Sequence, residues 1–368
     1  MSNKNFFQTI TEGTTEILVF KTKKSNKGPG SKEGLPFYNP SMELNRDLSI
    51  LICQWSINNS EKKFKLLDGL ASGGIRGLRF RNELNGDFEV SINDWDENAL
   101  KLIKKNVEKL KTKDIGIYNK NLNTLLSEES FDYIDVDPFG SPAIFVDSAV
   151  RGIKNNGIIA CTATDTATLC GVYPKVCIRR YGAVPFYSNV MKEIGLRILL
   201  GFICRQAGKY DKGIEPIVCY VTDHYFRVYI IVKNGVKKAN ESVQQLGYVK
   251  SGEYFGFEKT DRDIGPLWLG KLQNKKIIID LRTILSNKKL NKKNQLFKLL
   301  DLLEEESDGS NFFYSTDSLS SFFKKSPPKM ELLFKGLKTR GYDVYRTHFN
   351  PVGFKTNAPL NIIEKMFK

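Results

Sequence analysis

The chain has 368 residues, with 56 Lys and Arg against 41 Asp and Glu, a net charge of +15. That length supports two domains, and that excess of positive charge points to a phosphate-rich partner, with a membrane surface as the competing class. There is no apolar run of the ~18 residues a membrane span needs and no signal peptide ahead of Phe6, so we expect a soluble, cytoplasmic protein. Six cysteines lie scattered without a C-x-x-C pair and only two histidines accompany them, which disfavours a zinc site and suits reduced thiols.

The chain opens with apolar–polar alternation over 15–20, which predicts a small hairpin. Residues 21–34 form a basic Lys, Gly, Ser and Asn loop whose lysines are candidates for meeting phosphates. A helix follows over about 42–56 and carries Arg46. From 65 to 234 strands and helices alternate. Strands are expected near 65–68, 88–93, 115–119, 131–137, 157–162, 215–222 and 226–233, and helices over 74–84, 97–110, 122–128, 142–152 and 188–209. This order predicts a mostly parallel seven-stranded sheet covered by helices, closed by an antiparallel hairpin at its edge. Ligands of such sheets bind beyond the carboxyl ends of the strands, where Asp68, Asp94 and Asp137 would gather.

Asp137-Pro138-Phe139-Gly140-Ser141-Pro142 is the most informative segment. It follows the apolar strand 131–136, so the carboxylate stands where that strand ends. Two prolines and a glycine make the turn rigid. An acid, a carbonyl and an aromatic face suit methylation of an amino group on a flat ring: Asp137 and the Pro138 carbonyl each accept an N–H, and Phe139 offers a stacking face. The alternative is a strand-ending turn with an exposed acid.

Upstream, 65–77 reads as strand, glycine turn and helix, with Asp68 ending the strand and Gly73 in the turn. Asp94 ends the second strand, where an acid commonly takes ribose hydroxyls. The glycine spacing is not G-x-G-x-x-G, which disfavours a pyrophosphate-bearing dinucleotide. A cofactor without phosphates, such as S-adenosylmethionine, fits better.

Residues 164–182 leave the functional edge of the sheet as a long, polar, basic stretch of the kind that forms substrate lids. Lys175, Arg179 and Arg180 are its candidates for phosphate contacts, a solvated helix face being the alternative. After 234 we expect short strands with glycine turns to about 271, then basic helices over 277–285 and 293–304. The end is expected to be a helix–turn–helix with a wing: helices over 315–323 and 328–340, wing strands within 342–348 and 353–355. We therefore divide the chain into a 1–234 domain and a smaller α+β domain over 235–368.

The ordered set Phe37-Tyr38-Asn39-Pro40, Asn45-Arg46-Asp47, Ser72-Gly73-Gly74-Ile75-Arg76-Gly77, Asn93-Asp94, Asp137-Pro138-Phe139-Gly140-Ser141-Pro142, Thr162-Ala163-Thr164-Asp165, Asp223-His224-Tyr225-Phe226-Arg227, Gly265-Pro266-Leu267-Trp268 and Arg346-Thr347-His348-Phe349 resembles the tRNA guanine-26 N2-dimethyltransferase family of archaeal type. The resemblance spans nearly the whole chain. It implies a Rossmann-like class I methyltransferase domain, S-adenosylmethionine as cofactor, tRNA as substrate and a C-terminal domain that helps to grip it. By matching position it implies Asp137 as the catalytic acid and Phe37 with Phe139 as a sandwich for the target guanine. It further implies Arg46 and Arg76 as cofactor arginines near the methionine carboxylate, and Asp94 as the ribose acid. Two departures stand out. Asn121-Leu122 replaces an acid–Ala pair that many members carry near the adenine, and no paired cysteines precede the Gly-Pro-Leu-Trp segment, which implies a zinc-free second domain. Methylation of another RNA amino group and a non-catalytic RNA-binding role on the same fold are the competing readings.

Overall fold

The computed structural model describes residues 6–21, 36–112, 114–222, 224–250 and 263–368. The basic loop over 22–34 therefore lies outside the described residues. Two compact units are present: Met1–Thr162 with Ile230–Lys233 and Ile279–Phe297, and Ala163–Tyr229 with Asn234–Ile278 and Lys298–Lys368.

The first unit begins with strands β1 (Phe7–Glu12) and β2 (Thr15–Phe20), an antiparallel hairpin turned at Gly13. Helix α1 (Glu43–Asn58) buries most of its length, which is why its apolar residues do not form a narrow stripe. Then β3 (Phe64–Asp68), α2 (Ile75–Glu83), β4 (Phe88–Asn93), α3 (Glu97–Leu110), β5 (Ile115–Tyr118), α4 (Leu122–Glu128), β6 (Phe131–Val136), α5 (Ala143–Gly152) and β7 (Ile153–Ala163) alternate as the hydrophobic pattern predicts. Asp96 caps α3 by accepting the Asn98 and Ala99 amides, and Asn121 caps α4 through the Asn123 amide.

Helices α6 (Thr166–Leu169), α7 (Pro174–Tyr181) and α8 (Met191–Gly208) precede β8 (Lys212–Val221) and β9 (Phe226–Asn234). The seven-stranded sheet has the order β5-β4-β3-β6-β7-β9-β8. Its recorded pairs from β5 through β7 are all parallel. The chain runs outward from β3 through β4 to β5, then returns to place β6 on the other side of β3. That reversal opens a crevice beyond the carboxyl ends of β3 and β6. Asp68 is in register with Asp135 across it.

In the second unit the stretch 164–182 is more ordered than the sequence suggested. Pro174 sits in the first turn of α7, and Gly182 ends it in the left-handed conformation, φ +59°. Residues 236–243, expected as strand, are helical. Ala239 and Ser242 lie one turn apart on its buried side, and Ser242 Oγ bonds the Ile214 amide at 2.9 Å. The strands expected before 271 are Leu246–Lys250 and Asp263–Trp268, paired antiparallel. Helices cover Lys275–Asn287 and Lys293–Glu306. The end has the expected helix–helix–wing order: Thr316–Phe323, Met330–Thr339, then strands Val344–Arg346 and Gly353–Thr356. Leu319, Leu333, Leu337, Val344, Phe354 and Ile363 form its core.

Candidate active site

The site lies in the first unit and is organised by one guanidinium. Arg76, in the first turn of α2, is buried. Its Nη2 meets Asp137 Oδ2 at 2.5 Å, its Nε lies 3.4 Å from Asp135 Oδ1, and its Nη1 donates to Asn45 Oδ1 at 2.8 Å and Ser49 Oγ at 2.7 Å. Asp135 and Asp137 are two residues apart, so the period of a strand directs both to one face. Tyr133 donates to Asp135 Oδ2 at 2.6 Å. Asp137 Oδ1 takes no hydrogen bond among the described residues, and about one fifth of the side chain is exposed. One carboxylate oxygen is thus held and the other is left for a donor.

Asp68 is buried and accepts the Gly77 amide at 2.9 Å. Burial, more than its acidic neighbours Asp135 and Asp137, raises its carboxyl to about 7, against the lowering pull of Arg76. It fixes the start of α2 and hence the place of Arg76.

Asp94 follows β4. Its Oδ2 accepts the Ser72 amide at 2.7 Å and its Oδ1 the Asp96 amide at 3.0 Å. Burial pushes its carboxyl up, opposed by these backbone donors. The turn after β3 is thereby tied to the end of β4, with Gly73 between Ser72 at φ +51° and Gly74 at φ +78°. Ser72 Oγ in turn donates to the Phe37 carbonyl at 3.0 Å. Phe37 and Phe139 face each other with ring centroids 6.1 Å apart and planes at 50°, and Phe139 is 63% exposed. Gly140 turns the chain at φ +82°, with open space around it.

Arg46 is engaged elsewhere. Its Nε donates to Glu12 Oε2 at 2.7 Å, and its Nη2 donates to Glu12 Oε1 and the Asn39 carbonyl. Tyr38 donates to Glu12 Oε1 at 2.8 Å. Burial pushes the Glu12 carboxyl up, but the Arg46 and Arg79 guanidiniums outweigh it and hold it below its usual range. Arg79, fully buried, joins Glu12, Asp47 and Glu83. This buried network sets the segment 37–40, and with it Phe37.

Sequence reasoning assigned no role to Glu12, Asn45, Ser49, Ser72 or Asp135. Asp135 left a local signal, an acid inside an apolar strand, and Asn45 and Ser72 stood within the matched motifs without a role. Asn121 is exposed, with its amide oxygen already accepting the Asn123 amide. In the second unit Lys175, Arg179 and Arg180 are exposed, but Arg180 pairs with Asp165 at 3.1 Å. Among the described residues no group of three or more His, Cys, Asp or Glu is placed to hold a metal ion, and no helix is long and apolar enough to cross a membrane.

The acids at the carboxyl ends of β3, β4 and β6 outnumber the single Arg76 among them, and the turn is built to no phosphate-binding spacing. Such a donor set fits a cationic, phosphate-free cofactor, and with the strand order it defines a class I S-adenosylmethionine-dependent methyltransferase. The model of the N2,N2-dimethylguanosine tRNA methyltransferases matches residues 17–368, and the chain belongs to that family. It is 38% identical to a tRNA (guanine(26)-N(2))-dimethyltransferase of Methanobrevibacter smithii, over 98% of this chain and 97% of that protein. It is 39% identical to the enzyme of the same name from Pyrococcus furiosus, over 98% of each. The solved structure of Trm1 from Pyrococcus horikoshii with S-adenosyl-L-methionine superposes with a TM-score of 0.86, at 35% identity, over 98% of this chain and all of that one.

Proposed function

We propose that this chain methylates the exocyclic N2 amine of guanine 26 in tRNA, giving N2-methyl- and N2,N2-dimethylguanosine. The observation that carries the reading is the half-occupied carboxylate of Asp137, oriented by Arg76 and flanked by Phe37 and Phe139. When bound, S-adenosylmethionine supplies an electrophilic methyl group on a cationic sulfur. Asp94, the Gly73 turn and Asn121 are the residues that would hold it, while Asp68 acts through Gly77 to keep Arg76 in place. Arg46 acts at one remove, by fixing 37–40 through Glu12.

The guanine amine is a poor nucleophile because its lone pair is delocalised into the ring. Asp137 Oδ1 accepts one of its N–H bonds, draws density onto nitrogen and takes the proton as the new bond forms. The Pro138 carbonyl accepts the second N–H. After one methylation a single N–H remains, and a second round requires it to be presented again to Asp137. Fixed placement of these groups supplies further acceleration.

The target base must leave its stack to reach Asp137. A base held between two rings needs two contacts of about 3.5–4 Å, or roughly 7–8 Å between faces. Phe37 and Phe139 are nearer than that and tilted, so the exposed Phe139 swings outward and flattens as the base enters. Stacking returns roughly 1–3 kcal/mol per stacked base. We assign Lys175 and Arg179 to phosphates, with Arg180 divided between phosphate and Asp165, and segment 235–368 to gripping the tRNA.

The test is nucleoside mass spectrometry of an unmodified tRNA transcript incubated with the protein and S-adenosylmethionine. Methylated guanosine mapping to position 26, and lost when that guanine is replaced, is the expected result. Methylation elsewhere, or of adenosine, overturns the reading.

A further inference from the structure

One exposed surface of the second unit has no part in the chemistry above. Tyr187 is 67% exposed, Tyr173 56%, Val172 49% and Ile178 48%. Tyr187 adjoins the segment that carries Val172 and Tyr173 into α7. Gly171, at φ +87°, packs so closely that a Cβ there would stand 2.8 Å from the Tyr187 amide nitrogen, which sets Tyr187 beside the start of the 172–173 segment. Lys175, Ile178 and Arg179 lie three and four residues apart, so they share the outward face of α7. Neither Lys175 nor Arg179 has an ion-pair partner among the described residues. The only acid between 163 and 190 is Asp165, and it is consumed by Arg180 at 3.1 Å and the Tyr181 hydroxyl at 2.8 Å.

The scaffold beneath is fixed. Asp165 anchors the last turn of α7, Arg205 donates to the Tyr181 carbonyl, and Pro174 and Gly182 set its two ends. Large aromatic groups standing in solvent expose apolar surface in the free protein, a cost that a partner offering flat faces removes. Two unpaired cations alongside select an anionic partner. A base-paired duplex offers phosphates and grooves but no free base faces, whereas unstacked nucleotides offer both faces and phosphates.

We infer that Tyr173 and Tyr187 are stacking platforms for unpaired nucleotides of the RNA, with Lys175 and Arg179 holding the adjoining phosphates; this rests on the reading that the substrate is a tRNA. The surface thus selects single-stranded or splayed segments of the tRNA.

Full-length protein is titrated with unmodified tRNA transcript by fluorescence anisotropy over a salt series, beside methylation kinetics. Tyr173→Ala with Tyr187→Ala should weaken binding by about tenfold or more and leave the salt slope unchanged. Tyr173→Phe with Tyr187→Phe should bind within about twofold of wild type, because the ring faces remain. Lys175→Ala and Arg179→Ala should each lower the slope of log affinity against log salt by about 1. Wild-type affinity in the double alanine variant, with wild-type methylation intact, overturns the stacking role alone. Failure of the wild-type protein to bind or methylate tRNA overturns both readings. A wild-type dimer by light scattering that the alanine pair dissolves makes the patch a protein interface and also overturns the inference.

Discussion

Asp137→Asn tests the catalytic reading most directly, because it keeps the shape of the side chain and removes its ability to take a proton. The Asn oxygen still accepts from Arg76, and Arg76 keeps Asp135, Asn45 and Ser49, so the guanidinium is not orphaned. Losing one charge-assisted hydrogen bond at this partly exposed position costs at most about 1.5–3 kcal/mol of stability. Losing a general base costs ~10²–10⁴ in rate, or about 2.7–5.4 kcal/mol in the barrier. The two effects are separable. Single-turnover methyl transfer to a tRNA transcript should fall by at least about 100-fold. Calorimetric binding of S-adenosylmethionine should change little, since no cofactor contact is assigned to Asp137. Turnover near the wild-type rate refutes the assignment, and a loss explained wholly by cofactor affinity moves Asp137 from the chemistry to the cofactor pocket.

Three further variants probe the surroundings. Asp94→Ala removes the acceptor for the Ser72 and Asp96 amides; cofactor affinity should drop by roughly 10- to 150-fold by calorimetry, and an unchanged affinity contradicts the pocket. Arg46→Ala removes the nearest cation of Glu12 but leaves it Arg79 and Tyr38, and denaturant melts should show a loss of about 1.5–3 kcal/mol; wild-type stability would mean the network does not hold the 37–40 segment. Asp68 carries its proton up to about 7 in the folded state, against ~3.9 in the unfolded chain. The native form then binds more protons than the unfolded one between these values, so stability should fall as pH rises from about 4 to 7. Asp68→Asn, which still accepts the Gly77 amide, should flatten that slope in urea melts across this range; a slope unchanged by the substitution would place the raised group elsewhere.

Local pattern alone determined much of this protein. The glycine turn after β3, the acid after β4 and the Asp-Pro-Phe turn after β6 each lie within about ten residues of the strand that presents them, and the alternating apolar runs force these strands into one parallel sheet. Their convergence follows, because in such a sheet every strand that points the same way ends at the same edge. The pattern misled where it was short or mixed. Residues 236–243 carry two lysines and a glutamate among few apolar residues, and only the burial of Ala239 and Ser242 reveals the helix. Pro174 and Gly182, by contrast, marked the ends of α7 in the sequence, but the polar composition between β7 and α8 masked them.

The partners of the buried charges were decided by the tertiary structure alone. Arg46 and Arg76 look alike in the sequence, each an arginine near the start of a helix. Glu12, 34 residues from Arg46, claims one; Asp137, 61 residues from Arg76, claims the other. Residue type sets what a charge can bind, but at such separations only the packing of strand on helix decides which counter-charge stands within reach.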